Sequence, residues 1–285
     1  LDHALWDISG KAAGLPVYML LGGNVRDRVR VYRSIGGKDA AEAATTAHQL
    51  HEEFGFTAFK TSPFRVPPDE HRWGVVCKKA AEYFAELRKR CPEEWEFAFD
   101  PHAKIFEPVR ALQLANALAP YDPLFYEEPL RPENSDAWAR LRSQMQVPVA
   151  TGESLYTRFE FLDLMSKNGA DIIQPDICIC GGLLEMRKIA AIAEAHYVSV
   201  APHNPMGPLA TAVNLHFCAA ATNFTILEYL LPSQNPGAED WLDEPYLPTN
   251  GYLQLRPDRP GFGVEVNEEK LKADYVHWER ISSAR

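Results

Sequence analysis

Polar residues recur at a regular interval along this chain, each near the end of a short run rich in β-branched and aromatic residues. In chain order they are Lys60, Asp100, Glu127, Glu153, Asp176, His203 and Glu228. From Asp100 on, consecutive members are separated by 27, 26, 23, 27 and 25 residues, close to the length of one strand–helix unit. Taken singly, any of them could be a helix N-cap or a surface residue. Caps are mostly Ser, Thr, Asn or Asp, so a set that includes Lys, Glu and His predicts a common site.

Three of these residues are carboxylates on successive runs: Asp100, Glu127 and Glu153. Hard oxygen ligands of this number suit Mg²⁺, which prefers octahedral coordination and keeps positions for water or substrate. Three like charges at one place would repel each other strongly without a cation. Glu128 follows Glu127 directly and points to the opposite face, and alternation alone does not choose between the two. The interval to Glu153 favours Glu127, so the sequence predicts a magnesium site with these three ligands.

Asp176 and His203 follow on the next two runs and suggest proton transfer. A carboxylate that accepts from one imidazole nitrogen fixes the tautomer and raises the basicity of the other nitrogen. The pair therefore predicts a general base. A structural histidine ahead of the proline-rich loop PHNPMGP (202–208) is the alternative.

The stretch FAFDPHAKIF (97–106) places a second imidazole near the first carboxylate. If the chain stays extended, alternation by two puts Asp100 and His102 on the same side. His102 could then act as a general acid across the substrate. Lys60 begins K-T-S and, pointing inward, could neutralise a substrate carboxylate. Ser62 shares its face but is no strong base, which argues against racemisation, where both faces need one.

The elements that position these residues alternate between strand and helix. Eight β-rich runs between residues 29 and 229 are separated by seven amphipathic helical patterns, including 40–54 and 73–90. This alternation predicts parallel strands joined by right-handed crossovers. A TIM-type barrel with eight strands and seven helices, (β/α)7β, fits best. A doubly wound open sheet is the competitor, although no GxGxxG follows the first strand.

Composition limits the classes of function. The chain has 285 residues, 46% of them hydrophobic, and a formal net charge of −10 without a basic stripe, so we expect no nucleic-acid partner. No apolar stretch approaches the roughly 18 residues of a membrane span. The five cysteines are odd in number and scattered, which predicts reduced thiols in a cytoplasmic protein. Cys178 and Cys180, spaced CxC, are interpreted as strand residues near the core.

Several longer motifs carry a family resemblance over essentially all of residues 1–270. They are LDHALWDISGKAAGLPVYMLLGG, FDPHAK, FYEEPLRPEN, PVATGESLYTRFEF, DIIQPDICICGG and APHNPMGPLA. In this order and spacing they resemble the enolase superfamily, in its mandelate racemase-like branch, and most of all the acid-sugar dehydratases typified by D-galactonate dehydratase.

The resemblance implies a mechanism for each residue. Mg²⁺ would bind Asp100, Glu127 and Glu153, and His203, paired with Asp176, would remove the proton α to a carboxylate. His102 would protonate the departing β-hydroxyl, and Lys60 and the metal would stabilise the enediolate. The product would be a 2-keto-3-deoxy acid from an aldonate such as galactonate or gluconate. Racemases of the branch carry a base where Ser62 stands here, and Glu228 matches a position near the enediolate in relatives.

The same resemblance predicts how the chain divides. Residues 1–28 would be a helical lead-in, 29–231 the catalytic barrel, and 232–285 an irregular segment that packs on an N-terminal α+β capping domain. We expect that capping domain to be missing from this chain, and we expect a homo-oligomer. Two other functions stay open: an epimerase or cycloisomerase using the same enolate chemistry, and a non-catalytic barrel scaffold. Loss of a metal ligand or base would mark the scaffold, and none is lost.

Overall fold

The computed structural model describes residues 1–231 and 241–274, and a sheet of eight parallel strands forms its centre. The strands are β1 (Arg28–Ser34), β2 (Ala58–Thr61), β3 (Glu96–Phe99), β4 (Tyr126–Glu127), β5 (Val149–Thr151), β6 (Ile172–Ile173), β7 (Ser199–Val200) and β8 (Leu227–Glu228). They pair in chain order from β1 to β7, and β8 pairs with β1. Between β7 and β8, Val200 bridges to Phe224, and its N–H donates to the Asn223 carbonyl at 2.9 Å. The sheet therefore closes into a barrel.

One α-helix follows each of the first seven strands in the described part of the chain, and two more precede β1. The helices are α1 (Asp2–Ala13), α2 (Val17–Leu20), α3 (Ala40–Phe54), α4 (Trp73–Arg90), α5 (Pro108–Leu118), α6 (Ser135–Arg142), α7 (Thr157–Ser166), α8 (Leu183–Ala195) and α9 (Pro208–Ala220). A short 3-10 helix, Ala119–Tyr121, continues α5. The predicted (β/α)7β barrel is confirmed, and closure of the sheet excludes the open doubly wound alternative.

The barrel interior is filled by one buried layer of mixed side-chain size. Its members are Tyr32, Ala58, Ala98, Phe125, Ala150, Ile172, Ala201 and Ile226. The four alanines leave room for the two aromatic rings, and Tyr32 meets Phe125 edge to face with centroids 5.8 Å apart. Alternating large and small residues is how a barrel of this size reaches close packing. This layer forms the floor beneath the polar residues at the carboxyl ends of the strands.

Helix α3 illustrates why the surrounding helices form where they do. Its buried residues are alanines at positions 40, 43, 44 and 47, the i, i+3, i+4, i+7 spacing of one helix face. Asp39 caps the first turn by accepting from the Glu42 N–H at 2.9 Å. Gly55 ends the helix in the left-handed region, with φ of 77°. A side chain at Gly55 would also collide with the backbone of Asn250.

The lead-in consists of two separate helices. Helix α1 ends at Ala13, where Gly14 adopts a left-handed conformation with φ of 66°. Pro16 then precedes the separate short helix α2. The apolar residues at 1, 5 and 8 are exposed, with relative accessibilities of 99%, 55% and 62%. Contacts of α1 with the barrel therefore come from its polar side chains as well as its apolar ones.

The described part of the C-terminal segment returns to the lead-in and to β1. Strand β9 (Tyr252–Gln254) pairs antiparallel with β1, and helix α10 (Glu268–Asp274) follows. The Phe262 N–H donates to Asp7 Oδ1 at 2.9 Å, and Lys11 pairs with Glu265 at 2.8 Å. Residues 232–240 and 275–285 of the predicted segment lie outside the described residues, and the three-part division stays a prediction. Among the described residues, no helix is long and apolar enough to cross a membrane.

Candidate active site

The structure brings the predicted polar residues together at the carboxyl ends of the strands. Lys60, Glu127 and Glu228 lie within β2, β4 and β8, while Asp100, Glu153, Asp176 and His203 follow β3, β5, β6 and β7. In a parallel barrel these ends share one face, above the packed interior. An isolated bridge between Asp176 and His203 extends the pairing of β6 and β7 beyond their regular ends. The regular interval in the sequence thus corresponds to one residue per successive strand.

Lys60 lies at the centre of a carboxylate cluster. Its Nζ is 2.5 Å from Glu127 Oε1, 3.2 Å from Asp100 Oδ2 and 3.2 Å from Glu228 Oε1. All four side chains are buried, and the Tyr32 ring lies beneath the ammonium with its centroid 5.8 Å away. Burial by itself disfavours the charged lysine, but the carboxylates, Glu127 first, outweigh it and hold the pKa of Lys60 well above its ordinary value.

The carboxylates themselves are hard to ionise in this cluster. Burial raises the pKa of Glu127 to about 7, with Lys60 acting against it and Asp100 adding to it. Burial also raises the pKa of Asp100 and of Glu153. Glu228 differs, because Lys60 and His203 outweigh its burial and lower its pKa. Full ionisation of these carboxylates therefore needs a cation close by.

The donor set fits a hard divalent cation. Asp100, Glu127 and Glu153 offer only carboxylate oxygens, the ligands that Mg²⁺ prefers. No described residue donates a hydrogen bond of normal geometry to Asp100 Oδ2, although this oxygen is buried. At the same time, no three acidic, histidine or cysteine side chains of the described ranges surround a common point at ligand distances. In this conformation the Lys60 ammonium supplies the positive charge between Asp100 and Glu127.

Asp176 and His203 form the hydrogen-bonded pair that the sequence suggests. His203 Nδ1 lies 2.8 Å from Asp176 Oδ2, while Asp176 Oδ1 accepts from the Cys178 N–H at 2.7 Å. His203 Nε2 then faces the cluster, 3.5 Å from Glu153 Oε2 and 3.9 Å from Glu228 Oε2. Burial lowers the pKa of His203, but the bond to Asp176 and the facing carboxylates raise it to about 9. His203 would act as a base only when the charge of those carboxylates is offset.

His102 reaches Asp100 by a different route from the predicted one. The extended chain through His102 is wrong, because β3 ends at Phe99 and His102 lies in the left-handed region with φ of 52°. Asp100 Oδ1 accepts from the His102 N–H at 2.7 Å, a local bond that turns the chain. The ring still comes back, with Nε2 3.1 Å from Asp100 Oδ2 and the side chain 57% exposed. Its position is at the open edge of the cluster.

Sequence reasoning missed the residues that hold the predicted ones. Gln174, on the chain after β6, donates from Nε2 to Glu127 Oε2 at 2.8 Å and is itself buried. Glu128 points away from the cluster, as expected, but it is buried and accepts from Thr151 and from the Gly152 N–H at 3.1 Å. Burial raises its pKa to about 7. Gln174 stands in DIIQPD, two residues before Asp176, and that proximity was the available signal.

A second supporting network lies behind His203. The Asn204 N–H donates to Glu228 Oε2 at 3.0 Å, and Asn204 Nδ2 donates to Thr211 Oγ1 at 2.9 Å and to the Glu228 carbonyl at 3.0 Å. Asn214 donates in turn to Asn204 Oδ1 at 3.0 Å. These buried bonds fix the loop after β7 against β8 and α9. Backbone next to the predicted base is therefore held on several sides.

Comparison with known proteins agrees with this architecture. The family model described as "Enolase C-terminal domain-like" matches residues 42–270. The chain belongs to the enolase superfamily. D-galactonate dehydratase from Pectobacterium atrosepticum is 38% identical over 279 residues, which cover 94% of this chain and 71% of that protein. D-galactonate dehydratase from Ralstonia nicotianae is 39% identical, with 94% and 70% covered.

Solved structures of the superfamily superpose closely on this chain. A candidate galactarate dehydratase from Agrobacterium radiobacter, solved with sodium and L-malate, has a TM-score of 0.92 and 56% identity over 97% of this chain and 73% of its own. A mandelate racemase/muconate lactonizing enzyme-like protein from Rubrobacter xylanophilus has a TM-score of 0.85 and 34% identity, with 94% and 74% covered. The predictions of the superfamily branch and of an acid-sugar dehydratase type of lyase are confirmed at the level of the family.

Proposed function

We propose that this chain catalyses the Mg²⁺-dependent dehydration of a sugar acid to a 2-keto-3-deoxy acid. The observation that carries the proposal is the His203–Asp176 bond of 2.8 Å, which turns Nε2 of the imidazole toward the carboxylate cluster. Bound Mg²⁺ would be held by Asp100, Glu127 and Glu153, and would supply Lewis acidity to a substrate carboxylate.

The residues of the chain divide the proton transfers between them. His203 Nε2 takes the proton from the carbon α to the substrate carboxylate, and Asp176 stabilises the imidazolium that forms. Lys60, with its ammonium buried, offsets negative charge that develops on the substrate oxygens. The electron pair of the broken C–H bond first forms a double bond to the carboxylate carbon, which gives the enediolate. It then returns to form a double bond to the β-carbon as the C–O bond there breaks. His102, at the open edge, gives a proton to the leaving hydroxyl, and the enol tautomerises to the keto acid.

The choice of dehydration over epimerisation rests on Ser62. An epimerase needs a proton donor or acceptor on each side of the α-carbon, and Ser62 stands where racemases of the branch place the second base. Its hydroxyl accepts from the Phe64 N–H at 3.3 Å and so takes part in a local turn. Of the predicted site residues, all within the described part of the chain, His203 alone then offers a base to the α-carbon, which favours loss of the β-hydroxyl.

The substrate is proposed as an aldonate such as galactonate or gluconate, since the curated relatives named above are D-galactonate dehydratases. A diacid is the second candidate, because the relative with 56% identity is named for galactarate and was solved with the dicarboxylate L-malate. A panel of hexonic, pentonic and aldaric acids, assayed with semicarbazide for the keto acid, separates the two. Keto acid from none of them, together with α-deuterium exchange, would favour epimerisation instead.

The variant His203→Asn tests the mechanism directly. We expect it to abolish exchange of the α-proton with deuterium from solvent and to leave Mg²⁺ affinity unchanged by calorimetry. The matched control is His196→Asn, because His196 is exposed after the end of α8. Persistent exchange in His203→Asn would refute the proposed base.

A further inference from the structure

Helix α8, which follows the loop that carries Asp176, takes its N-terminal cap from the other end of the sequence. Its own N-cap position is Gly182, and no side chain there can accept from the first turn. Asp2 Oδ2 of α1 accepts instead from the Leu183 N–H at 2.7 Å and lies 3.4 Å from the Leu184 nitrogen. A carboxylate at this position also interacts favourably with the helix dipole.

The backbone at Gly182 is shaped for this contact. Gly182 has φ of 96°, a conformation that other residues rarely adopt, and a Cβ there would lie 2.7 to 2.9 Å from the Asp2 carboxylate and its Cβ. Glycine therefore both permits the turn into α8 and leaves room for Asp2.

The loop between Asp176 and α8 is short and internally bonded. The Asp176 carbonyl accepts from the N–H groups of Ile179 and Cys180 at 3.0 and 2.8 Å. Its side chain accepts from the Cys178 N–H at 2.7 Å through Oδ1. Asp176 is thus fixed to a short loop that leads directly into the first turn of α8. A displacement of the start of α8 is therefore transmitted to the Asp176 carboxylate, which orients His203.

Helix α1 holds this loop at the end next to α8. The bond from the Leu183 N–H to Asp2 joins residues 181 positions apart in the sequence. The loop is therefore held from outside the barrel as well as by its own hydrogen bonds.

We propose that Asp2 is a positioning residue for the reaction: through the loop from Asp176 to α8 it holds Asp176 in the orientation that seats His203. This inference rests on the proposed role of His203 as the base. A site whose proton acceptor must approach one carbon atom tolerates a displacement of only about 0.5 Å. Loss of the Asp2 contact frees the end of the loop and lets Asp176 and His203 shift.

The test compares two carboxylate caps in the full chain. Asp39 caps α3 through the Glu42 N–H at 2.9 Å, and among the described residues its side chain makes no hydrogen bond to the Asp176 loop. We expect Asp2→Ala and Asp39→Ala to lose similar thermal stability. Only Asp2→Ala should lower kcat for the accepted sugar acid, by about tenfold, with KM and Mg²⁺ affinity unchanged. Asp2→Asn, which keeps an acceptor oxygen, should recover most of the rate.

A second readout does not depend on turnover. The imidazole N–H proton shared by His203 and Asp176 gives a downfield proton resonance, which His203→Asn identifies. We expect this resonance to shift or broaden in Asp2→Ala and to stay unchanged in Asp39→Ala. If Asp2→Ala does not fold, Asp2→Asn and Asp2→Ser replace it, because both keep a side-chain oxygen that could accept from the Leu183 N–H. The serine side chain is shorter, so of these two variants only Asp2→Ser should perturb the resonance.

The outcomes separate the two proposals. Equal rates and unchanged resonances in Asp2→Ala and Asp39→Ala would overturn the role of Asp2 while the base function of His203 stands. Absence of α-proton exchange in the unmodified chain with every acid of the panel would overturn the proposed function, and with it the positioning role of Asp2. A rate loss in Asp39→Ala as large as in Asp2→Ala would show a general effect of stability and would also overturn the inference.

Discussion

A buried histidine joins three parts of the chain and predicts a specific loss of stability in acid. His216 on α9 accepts from the Tyr18 N–H through Nδ1 at 3.1 Å. Its ring lies 5.3 Å from the Tyr18 ring and 5.4 Å, edge to face, from the Phe262 ring. Because Nδ1 accepts a hydrogen bond, the proton must sit on Nε2 and the ring is neutral. The neutral His216 ring therefore contacts the lead-in through Tyr18 and the C-terminal segment through Phe262, and it belongs to the barrel itself.

The size of the effect follows from the pKa of this ring. Burial lowers the pKa of His216 from 6.5 to about 4, and its polar neighbours oppose this only weakly. Between these two values the unfolded chain binds a proton that the folded chain does not. The stability contribution is thus complete above pH 6.5 and is lost as the pH falls toward 4. Linkage gives a loss of about 2 kcal/mol between pH 7 and pH 5, and about 3 kcal/mol by pH 4.

The assay compares urea unfolding of the unmodified chain and of His216→Gln at pH 7 and pH 5. Glutamine keeps a donor and an acceptor but does not titrate. The free energy of unfolding of the unmodified chain should fall by about 2 kcal/mol more than that of the variant over this interval. His196→Gln, on the surface, should follow the unmodified chain. Equal pH dependence in the unmodified chain and His216→Gln would refute the reasoning.

Three further changes test the site and the fold. Glu153→Gln should weaken Mg²⁺ binding, and an unchanged calorimetric affinity would remove Glu153 from the ligand set. Gln174→Leu removes the 2.8 Å bond to Glu127 Oε2 and should weaken Mg²⁺ affinity by about tenfold; equal affinity would contradict a positioning role. Gly14→Ala should cost about 1 kcal/mol, because Gly14 has a left-handed backbone but open space around it. Gly55→Ala should cost more, because a Cβ at Gly55 would also collide with the backbone of Asn250. Equal shifts in denaturant midpoint would contradict this.

Long periodic helices were the part of the fold most open to prediction. The patterns at 40–54 and 73–90 match α3 and α4 to the residue, because an apolar face repeated over four or five turns leaves little choice of boundary. The strands after β1 are shorter than their sequence runs. The run LFYEEP (124–129) contains only the two-residue strand β4, since Glu128 turns into the left-handed region with φ of 39° and ends the extended pairing.

The site was predictable as a set of residues and less so as a geometry. One polar residue per strand–helix unit followed from the interval in the sequence. The conformation at His102 did not, because a side-chain bond from Asp100 to the next-but-one N–H competes with extension. The contacts of Gln174 and Asp2 were also hidden. Both depend on which distant elements lie side by side, and no local pattern in one sequence reports that.

Closure of the barrel through β1 has a consequence for synthesis on the ribosome. Val31 and Tyr32 of β1 pair with Leu227 and Glu228, and β9 pairs on the same strand. One side of β1 therefore waits for almost two hundred residues of nascent chain, on the order of ten to forty seconds at ordinary elongation rates. During that delay the unpaired edge of β1, whose residues are mostly buried in the folded protein, can pair with other chains. Chaperone demand for this protein should therefore fall sharply once translation passes β8 and β9.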